Sequence, residues 1–187
     1  MRLFRKKKTA GRFDLTTEIR PSSRISSDST IGRYCYIGER CDVTRSSIGN
    51  YVSIANNVSI GQGEHDIDRI STSSLFYRDA KAVLTKGSCD IAHDVWIGVD
   101  SIIRRGVNIG IGAVVGANSF VNRDVPAFAI VAGSPARIVG FRFNEAQRQL
   151  ILASEWWDRD LEDAREKFAE LEEAIATLEA SPLRIDA

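Results

Sequence analysis

Histidine is scarce in this chain, with two in 187 residues. A catalytic zinc site takes three protein ligands, most often histidines, so a metal-dependent hydrolase built on histidines is disfavoured and no metal site is expected. Cysteine is nearly as scarce. Cys35, Cys41 and Cys89 form no CxxC pair, and an odd number leaves no closed disulfide framework. A reduced, cytoplasmic protein fits that usage. Net charge is absent as well: Lys plus Arg and Asp plus Glu each total 25, so overall charge gives nucleic acid no support as a partner. No apolar run reaches the length of a membrane span. The segment Met1–Lys8 holds five basic residues with no apolar stretch after them, unlike a secretory signal. It reads as a solvated basic extension, with contact to an anionic surface or cofactor as the alternative.

What the chain does have is a period of six. An aliphatic residue recurs at Ile19, Ile25, Ile31, Ile37 and Val43, then at Ile48, Ile54 and Ile60. A second block runs through Ile91, Ile97, Ile103, Ile109, Val115 and Val121. The following residue is often Gly or Ala, and the residue four places on is small or β-branched, as at Cys35, Cys41, Val52, Val95, Ser101 and Ala113. Six is neither a helical period nor simple strand alternation. It fits a short strand and a tight corner, repeated so that three hexads close one coil. The aliphatic residue then points inward and stacks on its equivalent in the next coil, about 4.8 Å away. Stacked coils bury a continuous apolar column that no single coil could form. A glycine in most hexads, with abundant Val and Ile, argues against helices there.

Residues 63–88 break the period. An excursion from a rigid scaffold is a common place for function. After residue 140 the character changes again. Asn144 with Gln147 predicts a capping pair that opens a helix. Beyond Trp156-Trp157, the spacing of Leu161, Ala164, Phe168, Leu171, Ile175 and Leu178 predicts an amphipathic helix from near Asp160 to before Pro182. Its stripe is expected to pack rather than to bind a ligand. The expected organisation is a basic extension over 1–18, a solenoid over 19–140 and a helical tail over 141–187.

His65 is the strongest candidate for chemistry. It sits in Gly61-Gln62-Gly63-Glu64-His65-Asp66, where the solenoid yields to the excursion. An imidazole, with an intrinsic pKa of about 6.5, accepts a proton from a hydroxyl or amine at neutral pH. Glu64, Asp66 or Asp68 is placed to orient it. On spacing alone, a loop-stabilising role for His65 stays open. His93 lies within a regular hexad and reads as structural. Cys35 and Cys41 occupy the same inward position of successive hexads and read as inert core thiols. Cys89 has no evident activating neighbour. Gly110, Gly112 and Gly116 have the wrong spacing for a dinucleotide loop.

Taken together, the hexads, Asp94-Val95-Trp96-Ile97-Gly98, Gly116-Ala117-Asn118-Ser119 and Ala132-Gly133-Ser134-Pro135-Ala136-Arg137-Ile138-Val139 resemble the hexapeptide-repeat acyltransferases. The loop pattern His65-x-x-Asp68-x-x-Ser71-Thr72 and the later Trp156-Trp157-Asp158 resemble its xenobiotic branch, which includes chloramphenicol and streptogramin acetyltransferases. The resemblance implies a mainly β fold, a left-handed parallel β-helix of hexapeptide repeats, forming a homotrimer with sites between subunits. It implies acetyl-CoA as donor and His65 as general base. By the same likeness Trp96, Gly98, Val99, Gly116 and Ala117 lie along the pantetheine arm, and Arg123 and Arg137 pair with phosphates. Corner geometry is the alternative for the glycines, and a solvated surface for the arginines. Asp68, Ser71, Thr72 and Phe76 fall in the segment that shapes the acceptor pocket. There the branch often reads Ser-Thr-Tyr-Pro-Phe, whereas this chain reads Ser71-Thr72-Ser73-Ser74-Leu75-Phe76. That departure argues against an antibiotic acceptor, and because many members of the branch act on sugars of surface polysaccharides, the resemblance implies a carbohydrate hydroxyl or amine. A non-catalytic scaffold is the remaining alternative.

Overall fold

The computed structural model describes residues 11–180, with side chains described through Thr177 at its end; the basic segment Met1–Lys8 and Pro182 lie outside the described residues. The chain divides into two compact units between Gly140 and Phe141.

The first unit is a β-solenoid with three faces, whose strands from Arg12 through Gly133 pair in parallel wherever they stack. One face carries β1 (Arg12–Phe13), β4 (Thr30–Ile31), β7 (Ser46–Ile48), β10 (Cys89–Ile91) and β13 (Asn108–Ile109). The second carries β2 (Glu18–Ile19), β5 (Tyr36–Ile37), β8 (Ser53–Ile54), β11 (Trp96–Ile97), β14 (Val114–Val115), β16 (Ala129–Gly133) and β17 (Ala136–Phe141). The third carries β3 (Arg24–Ile25), β6 (Asp42–Val43), β9 (Ser59–Ile60), β12 (Ile102–Ile103) and β15 (Phe120–Val121). From β1 to β15 consecutive strands fall on consecutive faces, so each run of three makes one coil, and β16 and β17 then both join the second face. This is mainly β architecture and is consistent with the left-handed β-helix expected from the repeat.

The register explains the period. On the second face Ile19 pairs with Ile37, Ile37 with Ile54, Ile54 with Ile97, Ile97 with Val115 and Val115 with Val131. Ile54 and Ile97 lie on opposite sides of the excursion in sequence, yet they stack as if it were absent. The excursion therefore adds chain without costing a coil. Every aliphatic position of the period from Ile25 onward is buried, and Ile19 at the first coil is partly buried. Burying each such side chain stabilises the column by about 1.5–3 kcal/mol.

The corners divide their work between two residue types. The glycine after the aliphatic residue makes room: a Cβ on Gly98 would lie 2.6 Å from the backbone nitrogen of Ala117 in the next coil. The left-handed backbone falls instead on the residue before the small inward one, as at Tyr34, Arg40, Tyr51, Asn57, Asp94, Asp100 and Asn118. Asn and Asp tolerate that region best, and four of these positions use them.

The ladder begins at Arg12–Phe13, which pair with Thr30–Ile31 ahead of the boundary at residue 19 that the aliphatic period marks. Phe13 stands where the period would place an Ile and is 43% exposed, so the first strand carries no aliphatic signature.

The second unit is helical. The capping box of Asn144 and Gln147 opens α2 (Glu145–Ser154), with Gln147 N–H on Asn144 Oδ1 at 3.0 Å and Asn144 N–H on Gln147 Oε1 at 2.9 Å. A single turn at Trp156–Asp158 leads into the last helix, α3 (Leu161–Ala180). Phe168 of α3 packs on Trp156 at 4.5 Å between ring centroids, and Ala164 and Leu171 are buried. No helix among the described residues is long and apolar enough to cross a membrane.

Candidate active site

The excursion leaves the solenoid after β9 and returns at β10, and carries a short helix, α1 (Ala80–Leu84). The two stems touch where Glu64 N–H donates to the Leu84 carbonyl at 3.0 Å. His65 follows on the exposed side. Its Nδ1 lies 2.6 Å from the carbonyl oxygen of Thr72. A carbonyl can only accept, so Nδ1 carries a proton, and the tautomer this selects for the neutral ring has Nε2 as its acceptor. That is the tautomer a general base needs.

The same carbonyl is shared. Tyr77, nearly buried, donates its hydroxyl to Thr72 O at 2.9 Å, and that hydroxyl accepts from Asp66 N–H at 2.9 Å. Arg69 lies over the Tyr77 ring at 5.2 Å and donates Nε to Asp66 Oδ2 at 3.1 Å. The expectation that Glu64 or Asp66 orients His65 is therefore corrected. Glu64 is held by Arg104 through both oxygens, at 2.7 and 2.8 Å, and Asp66 faces Arg69 and the Asp68 amide. A carboxylate already gripped by a guanidinium has its best acceptor positions occupied. The ring is oriented by the backbone seven residues on.

Asp68, Ser71 and Phe76 line one cavity of about 540 Å³, together with Arg69 and Ile70. Thr72 meets the site through its carbonyl. Ile67, Ile70, Leu75 and Phe76 are all strongly exposed on this loop.

The other group of sequence candidates lies elsewhere on the solenoid. Trp96 projects from β11 between Ser53 and Val114 and is 56% exposed. Gly98 and Val99 form the turn after it. One coil on, Gly116 and Ala117 form the equivalent turn, tied by Asn118 N–H to Val99 O at 2.9 Å. Gly98 is required by coil stacking, as the close approach to Ala117 shows. Gly116 is less confined, since its added Cβ would meet the Ala132 side chain at 3.1 Å. Arg123 and Arg137 line a shared cavity of about 290 Å³ with Asn122. The Oδ1 of Asn122 is buried and has no hydrogen bond among the described residues. His65 leaves from the corner between the β9 and β10 faces, whereas Gly98 and Val99 sit at the corner between the β11 and β12 faces. Within one chain the turns beside Trp96 and the His65 loop are thus on different edges, whereas Arg123, between β15 and Val125, is on the edge from which the excursion leaves.

A groove of about 700 Å³ along β7, β10 and β13 includes His93. Three of its polar side chains are engaged by the fold: His93 Nδ1 accepts from Asn50 N–H at 3.0 Å, and Asn108 donates both its backbone and side-chain amides to Asp124. His93 is thus used by the fold. The three cysteines are free and buried, and burial pushes each thiol up, away from the reactive thiolate. No group of three metal-ligating side chains occurs among the described residues.

No family model matches the chain. It is 35% identical to a chloramphenicol acetyltransferase of Klebsiella aerogenes over 66% of this chain and 64% of that protein. The chain thus spans just under two thirds of that relative's length. It is 33% identical to a probable macrolide acetyltransferase of Lysinibacillus sphaericus over 70% of this chain and 76% of that one. Among solved structures, a hexapeptide-repeat-containing acetyltransferase of Vibrio cholerae O1 biovar eltor, complexed with acetyl-coenzyme A, superposes with a TM-score of 0.53 at 28% identity, covering 73% of this chain and 69% of that one. The stacked hexads, the loop histidine and the extent of these similarities together make the chain a member of the hexapeptide-repeat acetyltransferase family that contains the chloramphenicol and macrolide enzymes.

Proposed function

We propose that this protein transfers an acetyl group from acetyl-CoA to a hydroxyl or amine of a sugar or related small molecule, with His65 as general base. The observation that carries the reading is the bond from His65 Nδ1 to Thr72 O, which leaves Nε2 as the proton acceptor. Acetyl-CoA supplies the acyl group as an activated thioester. His65 Nε2 takes the proton of the acceptor O–H as that oxygen bonds to the acyl carbon, and returns it to sulfur as the C–S bond breaks. The acceptor then carries the ester, and no acyl-enzyme forms.

The donor fits the residues present. Arg123 and Arg137, which line one cavity, offer guanidinium forks to phosphates. Val99 and Ala117 are exposed, small to medium side chains beside Trp96, suited to a narrow pantetheine arm. Because the loop and the Val99 and Ala117 turns lie on different edges, a site that joins them needs two copies. That supports a homotrimer with three equivalent sites, His65 coming from one chain and the turns beside Trp96 from the next. The free thiols support a cytoplasmic setting.

A second reading, acetylation of an antibiotic hydroxyl, draws on the same chemistry. It is favoured by the apolar Ile70 and Phe76 in the loop cavity and by what the related enzymes are named for. One assay separates the readings: CoA thiol release from acetyl-CoA against nucleotide sugars, free sugars and chloramphenicol, with wild type and His65→Ala. Turnover by His65→Ala equal to wild type would remove His65 as the base. Failure to bind CoA in calorimetry would favour a non-catalytic scaffold.

A further inference from the structure

Arg105 is a buried cation whose partners are all neutral. It lies in the turn between β12 and β13 and is 8% exposed. Its Nε donates to Gln62 O at 3.2 Å, its Nη1 to Gly87 O at 2.9 Å, and its Nη2 to Thr44 Oγ1 at 2.9 Å and also to Gly61 O. Gly61 and Gln62 are the outgoing stem of the excursion. Gly87 is the returning stem. One guanidinium therefore holds both ends of the loop that carries His65.

We infer that Arg105 is a positioning residue for the base, fixing the angle at which the loop leaves the solenoid and hence where His65 stands. The inference rests on the reading of His65 given above. A buried charge with no carboxylate is a costly way to fill a core position, and a neutral side chain would sit there with less desolvation. Burial indeed pulls this guanidinium below its usual range. What the position gains is a planar fork with donors aimed at three backbone carbonyls on two separate stems, an arrangement that a lysine cannot reproduce.

Neighbouring ties are weaker or reach one stem only. Arg104 grips Glu64 as a half-exposed ion pair, and such pairs contribute little to stability. Arg45 donates Nη1 to Thr85 O at 2.9 Å, on the returning side alone. Gln62 is three residues before His65, so a shift at the clamp passes to the ring over a short, partly extended segment. A displacement near 1 Å at a reacting group costs on the order of 100-fold in rate.

The test compares Arg105→Lys and Arg105→Ala with wild type in the CoA-release assay, with hydrogen exchange followed separately for residues 62–88 and for the coils. The expected result for Arg105→Lys is a kcat lowered roughly 10- to 100-fold at nearly unchanged KM for acetyl-CoA. Faster exchange should be confined to the loop, and added methylguanidine should partly restore Arg105→Ala. Wild-type kcat and loop protection in Arg105→Lys would overturn the inference. So would a loss of kcat matched by equal loss of protection throughout the coils, because Arg105 would then only hold the fold. His65→Ala in the same assay keeps the two ideas apart. If it runs at the wild-type rate, the base assignment fails whatever Arg105 does. If it is silent while Arg105→Lys is normal, only this inference fails.

Discussion

Replacing Tyr77 by Phe should slow the enzyme without loosening the solenoid. The hydroxyl makes two hydrogen bonds, accepting from Asp66 N–H and donating to Thr72 O, both at 2.9 Å. Both partners lie within the loop, one the residue after His65 and the other the carbonyl that holds its ring. Phe keeps the ring, its place under Arg69 and its burial, so the perturbation is the loss of one oxygen. Each such bond is worth about 0.5–1.5 kcal/mol net, so the two together give about 1–3 kcal/mol. Thr72 O keeps His65 Nδ1 as a donor, and the half-buried Asp66 amide can recover a water, which places the cost near the lower end. The ordered arrangement of the loop would then lose on the order of tenfold relative to looser ones. The expected outcome is a kcat about tenfold lower at unchanged KM for acetyl-CoA, with faster exchange at the Asp66 amide and an unchanged unfolding midpoint for the coils. Wild-type kcat together with unaltered exchange at Asp66 would refute the view that the shared carbonyl governs His65.

Four further outcomes follow from the same structure. Ile97→Ala removes a fully buried side chain stacked between Ile54 and Val115, and should cost about 2–5 kcal/mol in urea unfolding. Gly98→Ala should destabilise more than Gly116→Ala in thermal melts, because its methyl group meets backbone in the next coil rather than another methyl group. All three thiols should resist a disulfide reagent in the native protein and react once urea unfolds it; a fast-reacting native thiol would contradict their burial and raised pKa. Joint replacement of Arg123 and Arg137 by Ala should raise the KM for acetyl-CoA severalfold and leave kcat nearly unchanged, as expected for groups that hold the donor equally in ground and transition states.

The solenoid was legible in the sequence because its stabilising interaction is periodic. A parallel stack places Ile37, Ile54, Ile97 and Val115 one above another, so each coil must repeat the same inward residue at the same spacing. The helix opening at Asn144 was legible for a similar reason, since a capping box is a local pair at a fixed separation. The left-handed corners were only partly so. Asn57, Asp94, Asp100 and Asn118 carry the usual signal, but Tyr34, Arg40 and Tyr51 occupy the same backbone region, and nothing in their side chains marks it. The first strand was hidden because Phe13 replaces the aliphatic residue of the period.

The candidate site shows where such reading stops. His65 could be picked out as an ionisable group where the repeat fails, but its orienting partner could not. A carboxylate next in sequence is the natural guess, and Glu64 and Asp66 flank the ring on both sides. Both are taken by arginines, and the partner is a main-chain carbonyl, a group every residue possesses and that therefore leaves no trace in the sequence. Arg104 and Arg105 make the same point. They are adjacent and identical in the sequence, yet one pairs with Glu64 at half exposure while the other is buried against the carbonyls of both loop stems. What distinguishes them is which neighbour each meets across the coils, and that is set by stacking rather than by local composition. Chemistry built from side chains is therefore visible in this sequence, whereas chemistry positioned by the backbone of a non-repeating loop requires the fold.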